Sequence, residues 1–164
     1  MKTRRTLLIV FLLIWSIGVY ADDPPESEQI IADIAKREKT TPAEVKEALE
    51  QGCSSGNTAL MRQCGYYHWV GADIQLNQTY RKLQHKLGKS SATAKLAAAE
   101  RAWVTFRDAT CDYETEGWGN GSGRSVVYQG CLQTLTEERN KKLQEYLECK
   151  NNECPSDLDA PDTN

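Results

Sequence analysis

The most reactive side chains of this 164-residue chain are six cysteines, at positions 53, 64, 111, 131, 149 and 154. Thiols can hold a soft metal, cycle between redox states or close disulfides, and their spacing separates these chemistries. No close Cys pair recurs, and neither His68 nor His85 stands near a second pair of ligands, so no zinc site is expected. The absence of a C-x-x-C motif argues against a redox enzyme. Disulfides remain. A second set of polar residues falls on or beside apolar stripes: Asp73, Asn77, Arg107 and Arg139. A charge buried without a partner is expensive, and the planar fork of arginine satisfies a carboxylate well. The expectation is an interior network joining Asp73 to one or both arginines, with Asn77 completing the hydrogen bonds. A pocket opening at the surface is the lesser alternative. Gly117, Gly119, Gly121 and Gly123 alternate with Trp118, Asn120 and Ser122, but lack the G-x-x-x-x-G-K-[ST] pattern that cradles phosphate. No nucleophile, base and orienting group occur at useful spacing, so no catalytic residue, metal or cofactor is expected.

The elements that must position these residues begin after an export signal. Lys2, Arg4 and Arg5 precede an apolar run from Leu7 to Ile17, and Val19-Tyr20-Ala21 supplies a small-x-small cleavage pattern. Removing residues 1–21 takes three basic groups from the total of 20 Lys+Arg and none of the 23 Asp+Glu, so the net charge moves from −3 to −6. An acidic chain lacks the concentrated positive face with which a protein displaces counterions from nucleic acid, so no nucleic-acid partner is expected. No later stretch approaches the ~20 apolar residues of a membrane span. A periplasmic or secreted location follows, without integral membrane association once the signal is removed.

The periodicity beyond residue 21 is helical. Residues 22–52 read as a short helical prelude. Ile30, Ile31, Ile34 and Ala35 share one side of a first helix. Thr41, Pro42 and Glu44 then form a capping-box start, and Gly52 is suited to a left-handed helix end. A long helix from about Thr58 carries Trp69, Asp73, Leu76, Tyr80, Leu83 and Leu87 at spacings of three and four. Gly88-Lys89-Ser90-Ser91 links it to a second, alanine-rich helix with Leu96, Ala99, Trp103, Phe106 and Thr110 on one side. After the glycine segment a third helix runs from about Ser125 through Tyr128, Leu132, Leu135, Arg139, Leu143 and Leu147, with a short strand over Val126–Tyr128 as the alternative start. The fold expected is all-α: a disulfide-stapled antiparallel bundle of three major helices with short N-terminal helices. Residues 53–148 would form its body and 149–164 a polar tail. Such a bundle gathers Cys53, Cys64, Cys111 and Cys131 at one end, for two bridges whose pairing stays open, and leaves Cys149 and Cys154 to close a local clasp at the other.

Three stretches together resemble the LprI-like lysozyme inhibitor family: Asp73 to Leu83, Ala99 to Cys111, and the glycine segment followed by Cys131, Thr136, Arg139 and Leu143. The resemblance implies an exported protein that inhibits lysozyme, and stable inhibition needs a complementary surface that blocks the enzyme's glycan cleft. A chain of charge −6 would be drawn to a basic enzyme. The expected contact is Trp118 as an apolar anchor with Asp112, Glu114 or Glu116 addressing basic groups. Members of the family can be lipoproteins, but the residue after Ala21 is Asp22, not Cys. The alternative reading is a non-catalytic module binding another envelope-associated protein.

Overall fold

The computed structural model describes residues 27–53, 56–150 and 154–155, and among them it is all-α. The export signal expected over residues 1–21 and most of the polar tail lie outside the described residues. Helices α1 (Ser27–Glu38) and α2 (Pro42–Gly52) precede three long ones, α3 (Thr58–Leu87), α4 (Ser91–Glu114) and α5 (Arg124–Glu148). A single 3-10 turn, Glu116–Trp118, lies between α4 and α5. Val126–Tyr128 belong to α5, so the strand alternative falls away.

Helix α2 starts as its residues dictate. The Thr41 N–H donates to Glu44 Oε2 at 2.9 Å, and the Glu44 N–H donates to Thr41 Oγ1 at 3.3 Å. The Thr40 hydroxyl, then the Thr41 backbone and hydroxyl, pull the Glu44 carboxyl from the usual 4.5 to about 2. A depressed folded-state value means that the cap is fully present above about 4.5 and is lost as pH falls through about 2. Thr40→Ala, which removes the largest of these contributions, should therefore move the Glu44 titration midpoint, read by NMR of its side-chain carboxyl, back toward 4.5. An unmoved midpoint would sink this account of the cap. The far end of α2 differs from expectation. Gly52 is a buried helical residue, and Cys53 ends the helix in a right-handed conformation at φ −72°. The Cys53–Cys64 bridge ties this end of α2 to α3. Among the described residues, positive φ falls on Lys39, Gly88 and Gly119.

Helix α3 is the spine, because it carries two cores. Toward its N-terminal half, Val70 and Ile74 pack with Ile30, Ile31, Ile34 and Ala35 of α1 and Val45 of α2. A Cβ at Gly71 would lie 3.1 Å from Ile30 Cδ1, so the glycine is what lets α1 approach this closely. Toward its C-terminal half, Leu76 and Leu83 meet Leu143 of α5, with Tyr80, Leu96, Trp103 and Tyr146 around them. Each fully buried aliphatic side chain of this kind contributes roughly 1.5–3 kcal/mol. A buried hydrogen bond from Thr79 Oγ1 to Asn140 Oδ1, 2.6 Å, fixes the register of α3 on α5. These two helices pack along most of their length, whereas α4 leans mainly on α5.

The buried side of α4 is rotated by one residue from the expected stripe. Ala92, Leu96, Glu100, Trp103, Arg107 and Cys111 face inward, while Ala99 and Phe106 are exposed, Phe106 at 59%. The reason is electrostatic: the inward positions hold charges with partners, so apolarity alone misplaces the face. Bridges Cys111–Cys131 and Cys149–Cys154 tie α4 to α5 at one end and close the chain after α5 at the other.

Candidate functional site

The polar residues expected to form one interior network are distributed over separate assemblies. Asp73 takes Arg37 of α1 as its partner at 2.7 Å, and Arg37 also holds Asp33 at 2.6 Å. Burial pulls the Arg37 pKa down, but Asp73 and Asp33 outweigh it and the net direction is up. Asn77 is exposed and donates to the Asp73 carbonyl at 2.7 Å. Arg107, 8% exposed, pairs with its neighbour Asp108 at 2.7 Å, and its guanidinium lies 5.2 Å from the Trp103 ring centre and 5.9 Å from that of Trp69. Cation–π contact with two indoles is how this buried charge is accommodated. Arg139 of α5 is held by Glu100 of α4, through Nε at 3.1 Å and a second, shorter contact from Nη2. The linkage of Asp73 to Arg107 or Arg139 is thus replaced by nearer carboxylates. Arg37 and Glu100 escaped the sequence reading because Arg37 follows a short apolar face and Glu100 sits one place from the alanine stripe.

These groups orient helices; the surface chemistry lies at the disulfide end. There α4 finishes when Thr115 Oγ1 donates to the Cys111 carbonyl at 2.7 Å. Successive tight turns follow, from Trp118 N–H to Thr115 O at 3.1 Å, Gly119 N–H to Glu116 O at 3.0 Å and Gly121 N–H to Trp118 O at 2.9 Å. Gly119 supplies the left-handed residue at φ +51°. The Trp118 ring rests on Gly123, where an added Cβ would lie 2.9 Å from a ring carbon. Trp118 is nevertheless 51% exposed, and Asp112, Glu114 and Glu116 are exposed as well. Tyr113, standing among those acids and 81% exposed, was missed by sequence reasoning. Its signal was its position: an aromatic residue off the buried side of α4, between two carboxylates.

Beside this apex is an open cleft of about 610 Å³, lined among others by Arg62, Asp112, Asn120, Arg124 and Tyr128. Arg124 reaches Asp112 at 3.5 Å, which fixes the cleft wall. Burial, then the charges of Asp112 and Asp108, push the Tyr128 phenol up, so it stays a neutral hydrogen-bond donor. A second cavity of about 540 Å³ lies between α1, α2, α3 and α5, lined by Ile34, Glu38, Val45, Gln63, Tyr66 and Gln129 among others. His68 lies 3.6 Å from the disulfide-bonded Cys64 and meets the Tyr67 ring edge-on, and His85 is exposed. Among the described residues no group of three His, Cys, Asp or Glu could hold a metal ion. No helix among them is long and apolar enough to cross a membrane. The apex therefore offers an aromatic anchor, carboxylates and hydrogen-bonding groups, a combination suited to gripping a protein surface.

A family model described as "Lysozyme inhibitor LprI" matches residues 35–143, from within α1 to within α5. Among curated proteins, an uncharacterised protein of Rhizobium meliloti (strain 1021) is 30% identical over 129 residues, covering 69% of this chain and 90% of that protein. No solved structure matches the chain.

Proposed function

Because this chain belongs to the LprI lysozyme-inhibitor family, we propose that it is an exported, non-catalytic inhibitor that binds lysozyme through the apex of its bundle and covers the enzyme's glycan cleft. Family membership is the observation that carries the reading. The exposure of these residues supports it: Trp118 is half exposed, and Asp112, Glu114 and Glu116, all within six residues of it in the sequence, are exposed as well. A basic enzyme is drawn toward those carboxylates, and the indole enters an apolar recess at or beside the cleft. The Cys111–Cys131 bridge roots the turn segment, so little of the association energy is spent ordering it. Export is part of the proposal, since lysozyme acts outside the cytoplasm and six paired cysteines suit an oxidising compartment.

The test is hydrolysis of peptidoglycan by a panel of lysozymes in the presence of the oxidised chain, with binding measured in parallel. Saturable inhibition of at least one enzyme is expected, and its association rate should fall as ionic strength rises. No inhibition and no saturable binding across the panel would sink the reading.

A further inference from the structure

We propose that the flank of α4 from Lys95 to Tyr113 is the contact between two copies of this chain, paired antiparallel about a twofold axis. Lys95, Ala99, Ala102, Phe106 and Tyr113 are all exposed, and the helical period places them along one side of α4. That side is not the one turned toward α5, which presents Glu100, Trp103 and Arg107. Phe106 at 59% and Tyr113 at 81% exposure are large aromatic surfaces left in water on an otherwise alanine-lined face.

What this flank fits is itself. Its bulky residues lie in the C-terminal half of α4 and its small ones in the N-terminal half. A twofold axis crossing the helix near residues 102–104 seats Phe106 of each copy between Ala99 and Ala102 of the other, a knob over small residues from both sides. The same operation brings Lys95 of each copy beside Tyr113 of the other.

The charges run the same way. Lys89 and Lys95 flank the beginning of α4, while Asp112 and Glu114 lie near its end. There is no acidic residue in the first turn and no basic residue in the last. That order opposes the helix macrodipole, which favours acids at the N-terminus and bases at the C-terminus. Within one copy it is unfavourable. Opposite an antiparallel neighbour each end meets the complementary sign, and the two macrodipoles oppose as well. Asp112 stays turned to Arg124 of its own copy, off this flank. The two Trp118 apices therefore point away from each other, at opposite ends of the pair, and the proposal stands separately from lysozyme inhibition.

Sedimentation of the oxidised chain over a concentration series, at low and high salt, tests it. The expected result is a mass twice that of the chain, with the dimer weakening as salt rises. Phe106→Glu should raise the dimer dissociation constant about 30-fold or more, as loss of a central aromatic contact does. Lys95→Glu should weaken the dimer too, and Arg101→Glu, exposed on the far side of α4, should leave it unchanged. Circular dichroism controls for folding, and Phe106 is exposed enough for its replacement to be tolerated. A dimer in a chain that inhibits no lysozyme still supports the pairing. A monomer at every concentration overturns it, as does a dimer that F106E leaves intact. A monomeric wild-type chain whose lysozyme inhibition F106E abolishes gives the flank to the enzyme, and also overturns the pairing.

Discussion

Arg139→Ala is expected to lower the unfolding free energy by about 3 kcal/mol, at the lower end of the range for breaking a buried ion pair. The pair it breaks is well shielded: the Arg139 side chain is 17% exposed and that of Glu100 is 14% exposed. Removing the guanidinium leaves the Glu100 carboxylate between α4 and α5 without its two-pronged donor, and also deletes the alkyl stem that packs there. Helix α4 has few other attachments to α3, so the loss falls on the contact that holds it to the body. For a chain of this size the melting temperature should drop by roughly 10 °C. Lys141→Ala, two residues along on the exposed side of α5, should change stability by no more than about 0.5 kcal/mol. Thermal melts of both variants decide the matter, and equal midpoints would remove Arg139 from any role in packing. The double replacement Glu100→Leu with Arg139→Met sharpens the test. If the cost of Arg139→Ala is a stranded charge, an apolar pair of similar volume should recover most of the stability.

That pair also marks where reading the sequence reached its limit. Helix boundaries follow from strong local signals: the Thr41-Pro42-Glu44 start, the Gly88–Ser91 link, the glycine break and the three-and-four spacing of Leu76, Tyr80, Leu83 and Leu87. These depend on nearby residues and are visible in one dimension. The inward side of α4 is not, because Glu100 and Arg107 are buried by virtue of Arg139 on α5 and Trp69 on α3. A periodicity reading weights Phe106 as core, and the structure leaves it exposed; Arg107, expected inside, is buried but with other partners than Asp73. The same holds for Asp73, whose partner Arg37 lies 36 residues away on α1. Which carboxylate meets which guanidinium is a property of helix packing. The glycine-rich turn after α4 was more legible, since a break of that kind depends on nearby residues alone.

Trp118→Ala is expected to weaken lysozyme inhibition about 30-fold or more, with the loss in the dissociation rate. Trp118 is half exposed, rests on the backbone at Gly123 and contributes to neither core, so the variant should melt close to the parent. Neutralising Asp112, Glu114 and Glu116 together should act on the other rate constant. Exposed charges steer the encounter, so association should slow several-fold at low salt and converge on the parent at high salt. Gly123→Ala separates anchor position from anchor chemistry. Its new Cβ would crowd a Trp118 ring carbon at 2.9 Å, so the indole is retained but displaced. An intermediate loss of affinity is expected if inhibition depends on where the ring stands. Stopped-flow association and dissociation rates, measured beside inhibition constants, distinguish these outcomes. Unchanged rates in all three variants would move the contact away from the apex and leave inhibition to another face of the bundle. Loss confined to the acid variant would leave electrostatic attraction as the whole of the binding.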